Sequence, residues 1–378
     1  MAEAKRVLII KPSSMGDVVH ALPVLGALRR AWPGAHIAWV VSRGCAGVIE
    51  GHPQLDEVIV FEREAWGWGR VWGASVGLVR LIRRLRAGRY DVALDLQGLL
   101  RTGLMTRLSG AKLRMGFANA RELAWLGYNR RVEVPTAEMH AVERYMLFVR
   151  ELGIETMGGP EFVLPEREED EGWAEQQKKQ FTAKTQRAQR TAKPGANDNN
   201  SQEAASDTER AQERRPLVVM NPSARWASKR WSAAGFAELA DGLVRGRGAV
   251  VVFTGSEADR AVVEQVRGMM RERSVDLSGK TSIGQLVALL RRAKLWVGND
   301  SGPMHLAAAV GTRVLAFFGP TNPVRTGPYG EAGRCVVLRT KEECAPCYRR
   351  ECRRRHCMEG IDAGEAMREA ERMLNRSM

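Results

Sequence analysis

Short apolar runs alternate with longer amphipathic stretches along most of this chain, and the alternation breaks once. In the first part Arg6–Lys11, His36–Ser42, Glu57–Phe61, Asp91–Leu96 and Leu113–Phe117 read as strands bounded by turn residues. Helical spacing predicts helices at Asp17–Arg30, Ser75–Arg86, Leu99–Ser109 and Ala141–Leu152. The pattern resumes at Leu217, with strands at Leu217–Asn221, Ala249–Thr254, Val275–Leu277, Leu295–Val297, Arg313–Phe318 and Cys335–Leu338. The helices expected between and after them are Ser232–Arg245, Glu257–Arg271, Ser282–Arg292, Pro303–Ala309 and Ala363–Leu374. Strand–helix alternation predicts an α/β fold with parallel sheets and right-handed crossovers. No internal sequence repeat is detectable, so the two halves are alike in architecture only.

The break is the stretch from Glu166 to Arg215, which is rich in Gln, Ala, Lys and Arg and almost devoid of aliphatic residues. Such a composition does not bury enough apolar surface to offset the entropy of ordering, so it reads as a disordered linker with transient helix near Trp173–Arg187. The expected organisation is a domain over 1–165, a linker over 166–216 and a second domain over 217–378. A length of 378 residues fits two domains of that size.

Two strand-to-helix turns carry the chemistry. In RVLIIKPSSMGDV (Arg6–Val18) an apolar run leads through small residues to Asp17, and in LWVGNDSGPMHL (Leu295–Leu306) it ends in Asn299-Asp300-Ser301-Gly302 before Pro303. Turns at the carboxyl ends of parallel strands are where open α/β sheets bind ligands, and a helix N-terminus favours anions. Two such turns point to two sheets facing across a cleft. The first lacks the glycines of a dinucleotide fingerprint and the Lys of a Walker loop. Asp17 there is either a general base for an acceptor hydroxyl or the cap of its own helix.

In the second half, Ser223 and Ala224 end a strand and Lys229 follows on a basic loop, which suits a diphosphate or is a solvated surface loop. Glu257, after Thr254-Gly255-Ser256, either accepts from ribose hydroxyls or complements a helix dipole. Asp300, Ser301 and Gly302 present backbone and hydroxyl donors to a phosphate, with His305 one turn on.

The formal charge of +14 fits an anionic partner. With Arg spread along the chain and no nucleic-acid module visible, that partner reads as an anionic lipid or phosphosugar. No apolar run reaches the roughly 18 residues a membrane span needs, and the start has no signal-peptide layout. A cytoplasmic protein is expected. Five of the six cysteines lie between Cys335 and Cys357. The C-x2-C-x4-C-x4-C spacing of Cys344, Cys347, Cys352 and Cys357, though tighter than in common zinc modules, could close a tetrahedral zinc site or serve redox chemistry; otherwise these are reduced structural thiols and no metal is bound.

KPSSMGDVVHALPVLGALRR, DLQGLLRTGLMTRLSG, NARELAWLGYNR, HAVERY and VGNDSGPMHLAAAVGTRVLAFFGPTNP together resemble the heptosyltransferases of glycosyltransferase family 9. The resemblance spans both domains but not the linker. It implies the GT-B architecture, two Rossmann-like domains around a cleft, and an inverting, metal-independent transfer without cofactor. The donor it implies is ADP-L-glycero-β-D-manno-heptose, and the acceptor is the Kdo residue of a lipid A-Kdo type glycolipid. It also implies a monomer, peripheral to the inner face of the cytoplasmic membrane, that binds no nucleic acid.

Carried over by position, Asp17 is the catalytic base. Ser223, Lys229, Glu257, Thr281, Asp300, Ser301, Gly302 and His305 meet the donor. Ser14, Arg101, Lys112, Arg114, Arg121 and Arg130 meet the acceptor. Ser223 and Ala224 stand where the first-heptose branch has a pair of Thr residues, and the Cys344–Cys357 segment is more like the second-heptose branch. The alternatives are a transferase of another nucleotide sugar, a sugar-nucleotide epimerase of similar build, and a non-catalytic binding protein. An epimerase would need no basic acceptor surface, and retention of Asp17 argues against a binding protein.

Overall fold

The computed structural model describes residues 4–62, 71–156, 158–190, 215–352 and 356–376. It divides into two units, Met1–Glu166 with Val324–Thr326, and Arg167–Pro323 with Gly327–Met378. In the first unit β1 (Arg6–Ile10), β2 (His36–Ser42), β3 (Glu57–Phe61), β4 (Val92–Asp95), β5 (Leu113–Phe117) and β6 (Arg130–Val132) form one sheet in the order β3-β2-β1-β4-β5-β6. All its pairings are parallel. Helices α1 (Met15–Ala31), α2 (Arg43–Ala46), α3 (Val71–Ala87), α4 (Leu100–Leu108) and α5 (Ala141–Glu151) connect or follow the strands.

The second unit has β7 (Leu217–Asn221), β8 (Val250–Phe253), β9 (Val275–Asp276), β10 (Leu295–Asn299), β11 (Arg313–Phe318) and β12 (Cys335–Arg339), again all parallel. Their order is β12-β11-β10-β7-β8-β9. Counted from its own first strand, each sheet therefore has the Rossmann order 3-2-1-4-5-6. Central strands are apolar without alternation because helices cover both faces: Val7 to Ile10 and Leu295 to Val297 are fully buried. In the second core Trp231, Phe236 and Phe317 interlock with ring centroids 4.3–5.6 Å apart. In the first, Phe117 meets Phe148 edge-on at 4.8 Å.

The expected strands are all present within a residue or two. One strand was not expected: β6, the edge strand formed by Arg130–Val132, buries only Val132. Three residues with one inward side chain carry no periodicity to read.

The larger departure lies in the expected linker. Residues Glu168–Arg190 form a helix, α6, packed on the Ile283–Arg292 helix of the second unit. Asp170, Ala174 and Phe181 are buried along one face of it. Glu171 pairs with Arg291 at 2.7 Å and with Arg292, and Glu175 reaches Arg292 at 3.2 Å. A few inward positions and a ladder of charge pairs thus hold a segment whose composition alone argued for disorder. The rest of the expected linker, 191–214, lies outside the described residues.

If α6 is anchored as this packing requires, Phe181→Ala will lower unfolding free energy by about 3 kcal/mol. Urea denaturation measures this, and a change below about 0.5 kcal/mol, normal for surface sites, would return the segment to linker status.

Candidate active site

In each sheet the chain leaves the first and fourth strands toward opposite faces, and the candidate residues collect at that switch point. In the first unit Ile10 lies opposite Asp95, so Lys11 and the turn before α1 stand beside the loop after β4. Asp17, in the first turn of α1, accepts from the Ser14 hydroxyl at 2.8 Å and the Ser14 amide at 3.1 Å through one oxygen. Its other oxygen accepts from the Tyr145 hydroxyl of α5 at 3.1 Å and lies 3.9 Å from the Lys11 ammonium. Ser14 is thus the N-cap of α1 and Asp17, three residues on, closes the capping box, while Asp17 also faces a cleft of about 390 Å³ whose lining includes Lys11, Gln97, Asn119, Arg121, Arg144 and Tyr145.

Charge in this cleft is finely opposed. Burial alone would raise the Asp17 carboxyl, but Lys11, His20 and the Ser14 bonds together hold it well below the usual carboxylate range. Burial lowers the Lys11 ammonium, and Asp17 and Asp95 pull it back. Lys11 also sits 5.0 Å from the centre of the Tyr145 ring, a cation–π contact. Burial, then the Asp17 charge, pushes the Tyr145 phenol well above its ordinary value, so it is a donor to Asp17. Asp95, itself fully buried, accepts from Tyr128 at 2.6 Å and from the Gln97 and Gly98 amides.

In the second unit Asn221 lies opposite Gly298. A Cβ on Gly298 would stand 2.6 Å from the Asn221 carbonyl, so only glycine fits there. Beyond it Asn299 ties the switch-point loops together, donating to the Pro222 carbonyl at 2.9 Å and accepting from the Trp231 amide at 3.0 Å. Asp300 takes the Lys229 ammonium at 2.6 Å and the Thr321 hydroxyl at 2.7 Å on one oxygen. Ser301 is the N-cap of the Gly302–Ala309 helix, yet its buried hydroxyl has no hydrogen-bond partner among the described residues. A hydroxyl held dry at a helix N-terminus, beside a fixed ammonium, is a cradle for an anion.

The turn that carries Lys229 is held from outside. Ser228 donates its hydroxyl to the Arg349 carbonyl at 2.7 Å and the Arg350 carbonyl at 3.0 Å, both in the cysteine-rich segment. Cys344, Cys347, Cys352 and Cys357 are free thiols, and no three metal-ligating side chains gather to hold an ion among the described residues. Burial and then the other three thiols push Cys357 up.

The remaining expected residues divide. His305 is buried in the helix after Ser301, and Thr281 is half-buried just before the cap of the Ile283–Arg292 helix. Ser223 gives its hydroxyl to Asp259, which also takes Ser256 at 2.6 Å, so it is not turned to a ligand. Glu257 is exposed and paired with Arg260 at 2.6 Å, its carboxylate lying over Gly279, whose φ of +69° also requires glycine. Arg121 reaches the Asp17 cleft and Ser14 touches Asp17.

Lys112 is engaged by Asp91 at 3.0 Å and Arg130 by Glu151 at 2.6 Å. Arg114 bonds the Gly127 and Ala111 carbonyls, and Arg101 is half-buried on α4. The sequence pattern did not single out Lys11, Tyr145, Arg144, Asp95 or Thr321. A lysine closing a buried strand was the one available sign for Lys11.

A family model, Glycosyltransferase family 9 (heptosyltransferase), matches residues 78–358. Lipopolysaccharide heptosyltransferase 1 of Pseudomonas aeruginosa is 31% identical over 92% of this chain and 87% of its own length. Among solved structures, a glycosyl transferase family 9 protein from Veillonella parvula matches with a TM-score of 0.78 and 25% identity, covering 99% of this chain and 98% of its own. Escherichia coli heptosyltransferase WaaC with ADP matches in fold, with a TM-score of 0.72 and 24% identity over 97% of this chain and 99% of its own. The paired Rossmann-like units are thus of the GT-B class, and with a family match over most of its length this chain is a glycosyltransferase belonging to family 9.

Proposed function

We propose that this protein transfers heptose from ADP-L-glycero-β-D-manno-heptose to the Kdo residue of a lipid A-Kdo type acceptor, with inversion and without a metal. The observation that carries the donor assignment is the Ser301 hydroxyl at a helix N-terminus, which has no hydrogen-bond partner among the described residues, beside Lys229 fixed on Asp300. The relatives named heptosyltransferase support the sugar. In this reading Glu257, Thr281, Gly302 and His305 border the donor, and Ser14, Arg101 and Arg121 the acceptor. Lys112, Arg114 and Arg130 serve mainly structure. Among the described residues no helix is long and apolar enough to cross a membrane, which fits peripheral association with the inner membrane face.

The acceptor hydroxyl oxygen attacks the anomeric carbon as the bond to the ADP oxygen breaks, and its proton passes to Asp17. The charge that develops on the diphosphate is met by the Lys229 ammonium and the N-terminal amides of the Gly302–Ala309 helix. Asp17 is a strongly ionised but weak base, so it takes the proton late, once the new bond has made the hydroxyl acidic. Tyr145 and Lys11 hold its carboxylate toward the cleft.

Mass analysis of the lipid after incubation with ADP-heptose, Kdo2-lipid A and a chelator will show one added heptose. Transfer only with another nucleotide sugar would move the donor assignment. Asp17→Asn should cut kcat by about 10²–10⁴-fold with ADP affinity nearly unchanged, and substantial residual turnover refutes the base assignment. Ser301→Ala, which breaks no protein bond, should leave the melting temperature unchanged and weaken ADP by about 1 kcal/mol. Calorimetry giving unaltered ADP binding removes Ser301 from the donor site.

Because the Asp17 pKa is depressed, its base form is present above the depressed value and is lost only as pH falls through it. Lys11→Met leaves the upward push of burial less opposed, so the acid limb of kcat/KM should move to higher pH. A limb that stays in place would show that Lys11 does not set the charge on Asp17.

A further inference from the structure

Nine large apolar side chains are exposed among the described residues, and five of them sit on two touching elements. These are Leu100 and Leu104 of α4, and Leu123, Trp125 and Leu126 at the 3₁₀ turn Ala124–Gly127. They are 36–60% exposed. The backbone is arranged to present them. Cβ atoms on Gly103 or Gly127 would collide with the Ala124 and Gly103 carbonyls, so helix and turn meet main chain to main chain. That contact buries Thr102, Gly103 and Ala124 and turns the leucines away from it.

Glu122 and Leu123 take left-handed conformations, φ 56° and 60°, which non-glycine residues adopt at a cost. The Leu100 amide donates to the Glu122 carboxylate at 3.3 Å, joining the two halves of the patch. Contiguous apolar surface of this kind marks an interaction site.

The rim identifies the partner. The Arg131 guanidinium lies 4.9 Å from the centre of the Trp125 ring. Arg107, one turn beyond Leu104, and Arg121, just before the turn, are exposed. Leucines that insert, a tryptophan at the boundary and arginines around them match a headgroup layer with anionic lipids. A second copy of this chain joined by a two-fold axis would instead set that arginine rim against itself.

We propose that the α4 and Ala124–Gly127 surface docks this protein onto an anionic lipid bilayer. The binding is a property of the surface alone. It rests on the proposed function only for its use, which is to bring the enzyme to a lipid-linked acceptor.

Full-length protein is sedimented with vesicles of phosphatidylcholine, with and without phosphatidylglycerol. Wild type should bind the phosphatidylglycerol vesicles, and Leu100→Ser with Leu126→Ser should weaken that binding by at least about tenfold. The double variant should keep its thermal melt and its transfer to a deacylated, water-soluble acceptor. Equal vesicle binding by wild type and variant, or no binding by wild type, overturns the proposal. So does a concentration-dependent dimer that the substitutions abolish, because the patch would then be a self-interface. Failure of transfer with every acceptor, while lipid binding still depends on the two leucines, would overturn the proposed function and leave the docking surface standing.

Discussion

A parallel sheet of order 3-2-1-4-5-6 sends the chains leaving its first and fourth strands to opposite faces, and the crevice between them is the only place along the strand ends that no connection covers. Both units of this protein obey that constraint, and both use it for charge. In one the crevice holds Lys11 against Asp17, and in the other Lys229 against Asp300. The register makes this possible: Ile10 opposite Asp95 and Asn221 opposite Gly298 bring loops distant in sequence side by side. The chemistry is therefore placed by strand pairing first and by loop sequence second.

The two cation–carboxylate pairs do different work. Lys229 and Asp300 are at full hydrogen-bond contact, with Thr321 on the same oxygen, which fixes an ammonium at the mouth of a helix. A buried pair like this contributes little net stability, because desolvation offsets the attraction; its effect is to hold the ammonium in one place. Lys11 and Asp17 stand farther apart, at 3.9 Å, and act through the field rather than through a bond. Asp17 keeps a free direction toward the cleft, and its charge is maintained by neighbours that do not occupy it.

The strands were legible because each central one is a continuous apolar run. The Asp17 and Ser301 turns were legible because small residues between a buried strand and a helix suit a helix cap or a closely approaching ligand and little else. What escaped reading depends on distance in sequence. Tyr145 meets Asp17 from 128 positions away, and nothing local to HAVERY says so. The helix α6 was legible only as a transient one for another reason: what orders it is burial of Ala174 and Phe181 together with Glu171 and Glu175 facing Arg291 and Arg292 of another helix. Composition counts such glutamates as solvent-seeking and misses their partners. Arg114 and Lys112 show the converse, basic residues in an acceptor-like segment that turn out to bond local carbonyls and Asp91.

The cysteine-rich segment fits this scheme as a support. Its spacing drew attention as a metal motif, but the contacts that matter to the site are made by its backbone. The Arg349 and Arg350 carbonyls hold Ser228, and the Tyr348 amide donates to the Pro320 carbonyl at 2.8 Å, next to the Thr321 that bonds Asp300. Both neighbours of the Asp300 carboxylate are thus braced by one short segment. The bracing fixes the backbone of the 3₁₀ turn Ala227–Lys229, and the contact with Asp300 restricts the rotamers of the long Lys229 side chain that leaves it. The segment's side chains do not gather into a site that could hold a metal ion among the described residues, so its part here is played by main chain. The carbonyls of that segment and its Tyr348 amide thereby hold the turn of Lys229 and the Pro320 residue before Thr321 in place on either side of the Asp300 carboxylate.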